Sequence, residues 1–355
     1  MKSSASGALK INLRESGGRK ALSLSQESLV QTSPLQSGES LPLLVEPALK
    51  GVNLVTWARS SGEFIETKLL EHGGILFRNF DLHEVSEFEP LIQAISGEAL
   101  EYRYRASPRS SVMGHIYTST DYPAEHSIFP HNEHAYSQTF PLRIYFFCVT
   151  PALQGGETPI GSTRRISERL SQDIKDRFRR KKVLYVRNYN DGFGLSWQTV
   201  FQTSDRTAVE DYCHGVGMTC EWKDGNRLRT RQIGEAIMRH PRTGEAVWFN
   251  HATFFHVTTL EATVRDALLA QFDEYDLPTN TFYGDASPIE PDVLEQLREA
   301  YRQSMITFSW QRGDVLLLDN MLAVHGRTSF AGPRKILVGM SEPVHSKQVK
   351  AEEEA

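Results

Sequence analysis

The run Pro130-His131-Asn132-Glu133-His134 concentrates side chains that hold metal ions. In an extended chain, residues i and i+2 face the same side, so His131 and Glu133 can reach one ion while His134 points away. The pair alone decides little. Twelve histidines in a chain with 44 acids in 355 residues give roughly 1.5 His-x-acid pairs by accident, the false-positive risk of any short motif. The sequence has no H-E-x-x-H, so a helical zinc-protease site is not supported. Other residues have the chemistry to complete a site. His325 follows the apolar run Val315-Leu316-Leu317-Leu318 and the polar turn Asp319-Asn320, and Arg334 lies nine residues beyond it, ahead of Ile336-Leu337-Val338. Thr158 ends Gly155-Gly156-Glu157-Thr158, 27 residues after His131. Arg327, two residues past His325, is a second guanidinium candidate. His251 and His256 flank the aromatic pair Phe254-Phe255 and read as structural histidines.

The surrounding pattern is mainly β. Helical spacing over 55–71 stops at Gly73-Gly74, before a strand over 75–78. Further strands are predicted over 142–150, 183–188, 246–249, 314–318 and 335–340, and helices over 85–95, 166–180, 208–215, 264–275 and 291–302. Strands without regular strand–helix alternation argue against a doubly wound parallel sheet. They favour a double-stranded β-helix (jelly roll, cupin-like) with helical decoration and a long insertion between the ligand candidates. Residues 1–40 read as a mobile leader, 41–345 as one domain with an insertion or lid over about 165–245, and 346–355 as a solvated tail. A net charge of −5 gives no broad basic surface for nucleic acid. The longest apolar run, Ile144 to Val149, is too short to span a membrane. Three cysteines without C-x-x-C spacing suit a reducing compartment, and the expected location is cytoplasmic.

Taken together these pieces resemble the TauD/TfdA family of iron(II)- and 2-oxoglutarate-dependent dioxygenases, and within it the SyrP-like branch of nonribosomal peptide pathways. The resemblance runs from about residue 45 to 342 and rests on ordered, separated motifs. They are Gly73-Gly74-Ile75-Leu76-Phe77-Arg78-Asn79-Phe80, His131-Asn132-Glu133, Gly155 to Thr158, His240-Pro241-Arg242-Thr243-Gly244-Glu245, Trp248-Phe249-Asn250 and Asn320 to Arg327.

The resemblance implies iron(II) held by His131, Glu133 and His325. Two neutral imidazoles and one carboxylate on one face of an octahedral ion leave three positions for 2-oxoglutarate and dioxygen, whereas zinc prefers closed tetrahedral sites. The C5 carboxylate of 2-oxoglutarate calls for a planar bidentate cation, which the resemblance assigns to Arg334, with a hydrogen bond from Thr158. Some relatives carry a second arginine four residues later that meets an anionic substrate. Here that residue is Val338, so a sulfonate or simple acid held that way is not expected. Lys335 alternates to the opposite face. Glu133 fills the position that halogenating relatives leave open, so hydroxylation is the default, with desaturation or epoxidation by the same site as alternatives. The implied substrate is an amino acid or small acyl group, free or tethered to a carrier protein. A non-catalytic sensor descendant is the reading from another class. Substrate walls are expected from 102–105 and 117–122, a lid near Asn188, Trp197, Phe201 and Gln202, and core packing from Trp222, Trp248 and Phe249. Arg227 and Arg229 read as a solvated face or a carrier-protein contact.

Overall fold

The computed structural model describes residues 29–101, 109–189 and 194–349, together with the backbone of two paired strands, Leu9–Asn12 and Ala21–Leu24. Its centre is an eight-stranded sheet. The strand order is Val30–Pro34, Leu43–Pro47, Gly74–Phe77, Val315–Asp319, Thr139–Thr150, Lys335–His345, Ile116–Thr118 and Ser111–Met113. Every pair is antiparallel except Leu43–Pro47 with Gly74–Phe77. Period-two alternation divides this sheet between two cores. Ile75, Phe77, Tyr145, Phe147, Val315, Leu317 and Leu337 pack beneath the helices Leu54–Ala58, Gly62–His72 and Phe88–Ser96. Ile144, Phe146, Cys148, Leu316, Leu318, Ile336 and Val338 face the other way. There they meet a four-stranded sheet ordered Met305–Ile306, Ile160–Ser162, Ala323–Arg327 and Ile128–His131. Two sheets enclosing one core make the expected jelly roll.

A further core fills the stretch between the ligand candidates. Phe178, Tyr185, Trp197, Trp248, Leu297 and Tyr301 join helices Thr163–Arg169, Gln172–Lys181 and Pro291–Arg302 to a sheet ordered Thr219–Trp222, Leu228–Gly234, Val183–Tyr189 and Thr279–Tyr283.

Two predicted helices are each broken, for the same reason. Over 55–71 the break falls at Ser60, whose hydroxyl donates to the Trp57 carbonyl; over 166–180 it falls at Ser171, whose hydroxyl caps Ile174. Serine offers the backbone a local partner that competes with helix continuation. Within the stretch expected to be a leader, Val30–Pro34 is an edge strand and Leu29 is buried, because pairing with Leu43–Pro47 satisfies its backbone. At the other end Ser346–Gln348 forms a 3-10 turn and Val349 is buried; 350–355 lie outside the described residues. Among the described residues no helix is long and apolar enough to cross a membrane.

Candidate metal centre and cosubstrate pocket

The smaller sheet brings the distant histidines together. Ile128–His131 pairs with Ala323–Arg327 so that His131 stands directly opposite His325, their rings 4.6 Å apart. Gly326 permits this approach, since a Cβ there would sit 2.6 Å from the Ile128 carbonyl oxygen. Glu133 follows in the turn. One ligand atom from each of His131, Glu133 and His325 lies within 4.8 Å of the others. The donor set fits an ion such as iron(II). The Nδ1–H of His131 donates to the Phe129 carbonyl at 2.9 Å, which leaves the Nε2 lone pair free. Among the described residues His325 Nδ1 has no hydrogen-bond partner, and its Nε2 lies 3.9 Å from Glu133 Oε2. Burial lowers the pKa of both imidazoles, so they stay neutral and able to ligate.

Three residues that were not site candidates hold this cluster. Arg109 Nη2 donates to Glu133 Oε2 at 2.7 Å, with both side chains buried. Burial by itself would raise the Glu133 pKa; the Arg109 guanidinium, together with His134, His131 and His325, outweighs it, and the carboxyl titrates below the usual carboxylate range. Asn320 accepts the Glu133 N–H at 2.7 Å and donates to the Glu133 carbonyl at 2.9 Å. Asn132 donates to the Asn320 and Ala323 carbonyls at 2.6 and 3.2 Å, tying one ligand segment to the other. Both asparagines stand inside motifs quoted above, and their neighbours signalled them; Arg109 had no local signal. His134 does not point away as expected. Its φ of 57° turns it back, with Nε2 3.6 Å from Glu133 Oε1.

His251 is structural, donating from Nε2 to the Asn132 carbonyl at 2.6 Å, and burial pushes its pKa down to about 3. His256 caps Thr258 through Nδ1. The His240 motif supports the turn from behind. Its Nδ1 accepts the Thr243 N–H, so Nε2–H donates to Asp319 at 3.1 Å, beside an Arg143–Asp319 ion pair of 2.7 Å. Asp319 in turn caps Met321 and Leu322, the approach to His325.

Thr158 and Arg334 line the same cavity of about 660 Å³ as the three ligand candidates. Trp310 Nε1 donates to the Thr158 hydroxyl at 3.1 Å, which leaves the hydroxyl proton available to donate. Arg334 Nε donates to the Gly156 carbonyl at 2.9 Å. A Cβ on Gly156 would come within 3.0 Å of the arginine side chain, and its φ of 74° suits glycine. Among the described residues Arg334 has no ion pair, and burial, with the nearby Arg327 charge, lowers its pKa to about 10. A half-buried cation in that position favours an anion. Arg327, the alternative, is committed elsewhere: it donates to the carbonyls of Tyr122, Pro123 and His126. Val338 is buried in the core and Lys335 is exposed on the other face.

Other expectations resolve unevenly. Ser119, Thr120 and Tyr122 line the cavity, whereas Tyr117 is core and 102–105 lie outside the described residues. Asn188 donates to the Tyr275 and Leu277 carbonyls, and Trp197, Trp248 and Phe249 are buried, so these are packing residues. Trp222 and Phe201 pack partly buried against the same core, Trp222 edge-on to Trp197, and Gln202 caps the short helix Trp197–Phe201. Arg229 pairs with Asp276 and Arg227 bonds the Asp224 carbonyl.

Comparison with known proteins agrees with this geometry. The chain is 39% identical over 312 residues to the dapdiamide synthesis protein DdaC of Enterobacter agglomerans, covering 85% of this chain and 95% of that one. It is 28% identical over 311 residues to a clavaminate synthase-like protein of Arabidopsis thaliana, covering 85% and 90%. Among solved structures it shares its fold with PvcB, described as an Fe, alpha-ketoglutarate dependent oxygenase from an isonitrile synthetic pathway, at a TM-score of 0.53, 16% identity and 96% and 97% coverage. Residues 32–341 match the taurine catabolism dioxygenase TauD, TfdA family, and the chain belongs to it as an iron(II)- and 2-oxoglutarate-dependent dioxygenase.

Proposed function

We propose that His131, Glu133 and His325 hold the iron, that Arg334 and Thr158 hold the C5 carboxylate of 2-oxoglutarate, and that the enzyme hydroxylates an amino acid or small acyl substrate. The observation that carries the reading is the meeting of the three ligand atoms within 4.8 Å in one cavity with an Arg334 that lacks an ion pair among the described residues. Bound there, iron(II) would activate dioxygen as the oxidant, with 2-oxoglutarate supplying two electrons as it is converted to succinate and carbon dioxide.

The chain's own residues orient the components and keep water out. The Phe129 carbonyl fixes the His131 tautomer, and Phe254 stacks on the His131 ring at 4.2 Å, shielding one face. Arg109 positions the Glu133 carboxylate, and Trp310 orients the Thr158 hydroxyl. The named roles of DdaC in dapdiamide synthesis and PvcB in an isonitrile pathway support placing this chain in natural-product biosynthesis; a free or carrier-tethered substrate and a cytoplasmic location belong to the same proposal. The test is mass spectrometry after anaerobically loaded enzyme, challenged with free and carrier-bound amino acids, meets oxygen. A gain of one oxygen supports hydroxylation, loss of two hydrogens would shift the reading to desaturation, and succinate without substrate change would count against both.

A further inference from the structure

The cavity wall facing the ligand cluster has a feature that neither metal nor cosubstrate binding uses. Helix Ala262–Leu269 buries none of its residues, whereas Pro291–Arg302 buries five. Away from the cavity it carries Arg265, bonded to Asp266, together with the exposed Leu269. Leu260, just ahead of the helix, lines the cavity together with Val264 and Leu268, which stand one turn apart. Leu260 and Val264 remain 39% and 42% exposed. Leu195 and Phe255, partly buried against the neighbouring core, complete the same wall.

An amphipathic helix normally turns its apolar side to a core. This one turns it to the space beside the ligand cluster. Among the described residues, the charged side chains lining the cavity are Arg109 and Glu133 at the cluster, Arg327 and Arg334 at the cosubstrate end, and Glu261, which adjoins Leu260 and approaches His126 to 3.4 Å. A polar or charged substrate group on the apolar wall would lose water without gaining a partner, whereas an apolar group would remove both surfaces from water. The cavity volume of about 660 Å³ is in the range of small-molecule sites.

We propose that the substrate carries an apolar group, aliphatic or aromatic, that rests on Leu195, Phe255, Leu260, Val264 and Leu268 while its reacting carbon lies at the ligand cluster. The proposal rests on the oxygenase reading above and narrows it.

The test uses full-length protein loaded anaerobically with iron(II) and 2-oxoglutarate. The probes are L-leucine, L-phenylalanine, L-serine and L-aspartate, each free and as its N-acetylcysteamine thioester, and the readout is perturbation of the visible iron–2-oxoglutarate absorption band. In at least one of the two forms, the leucine and phenylalanine probes should bind about tenfold or more tighter than the polar ones, the order of discrimination an apolar pocket achieves. Val264→Asp should weaken the apolar probes by about tenfold and leave 2-oxoglutarate binding within about twofold, and Val264→Ala should weaken them by less. Val264 is well exposed, and thermal melts confirm that each variant is folded. Equal or tighter binding of serine or aspartate, no response to either apolar probe, or no effect of Val264→Asp overturns the proposal. Failure of the absorption band to form in the wild-type protein would instead overturn the oxygenase reading.

Discussion

The two ends of the cavity are held in different ways. At the cosubstrate end each polar group is tied to the framework: Arg334 to the Gly156 carbonyl, Thr158 to Trp310, and Arg327 to three carbonyls of the 122–126 turn. The substrate wall is apolar, and its helix Ala262–Leu269 buries nothing. Chemistry common to a family needs fixed donors at fixed distances, so a dense hydrogen-bonded frame serves it. A wall that receives one particular substrate needs complementary shape, which a lightly anchored helix can supply.

Substitutions in the two regions should therefore have unequal effects. His131→Ala or His325→Ala leaves two ligands, and iron(II) binding and turnover should be lost while circular dichroism shows the fold retained. Asp319→Asn, behind the His325 turn, takes from Arg143 its one fully buried carboxylate while Glu66 and Glu342 remain, and should cost about 1.5–3 kcal/mol in denaturant melts. Burial opposes Asp319 ionisation, but His240 and Arg143 outweigh it and lower its pKa. Its stabilisation is thus fully present above the ordinary aspartate pKa of about 3.9 and is lost as pH falls through the lower folded value. The wild-type melting temperature should drop in that acid range, and Asp319→Asn should lose that part of the dependence.

Arg334→Ala should weaken 2-oxoglutarate by roughly two to three decades, given about 3–5 kcal/mol for breaking a buried pair, 1.4 kcal/mol per decade, and water entering the emptied space. Arg334→Lys should restore part of it, because a point charge does not reproduce the guanidinium fork. Arg109→Gln should weaken iron(II) by about 10–100-fold, the usual effect of losing a partner of a metal ligand, with Arg109→Lys intermediate. The smallest effect belongs to the wall. Val264→Ala should change stability by no more than about 0.5 kcal/mol, since an exposed side chain away from packed contacts contributes little. A larger loss there would mean that the wall is as tightly framed as the cosubstrate end.

The same contrast explains what could be read from the sequence. His131, Glu133, His325, Thr158 and Arg334 stand in short motifs at recognisable spacing, and the main-sheet strands carry near-continuous apolar runs because both faces are buried. Arg109 lies 24 residues before the carboxylate it holds, in no motif, and only the fold brings it there. The strand Thr279–Tyr283 escaped notice because its buried Asn280 and Thr281 look polar in the sequence, although Thr281 donates to the Ala252 carbonyl and Asn280 caps Val257. Trp310 reads as ordinary core until its indole N–H is found on Thr158. Local pattern reports burial and motif; it does not report which distant partner satisfies a buried polar group.

Anaerobic titration of 2-oxoglutarate into the iron(II)-loaded protein, followed by its visible absorption band, tests the central claim most directly. The wild-type protein should develop a saturable band, His325→Ala should show none, and Arg334→Ala should reach the same band only at concentrations roughly two to three decades higher. A His325→Ala protein that titrates like the wild type would contradict the account.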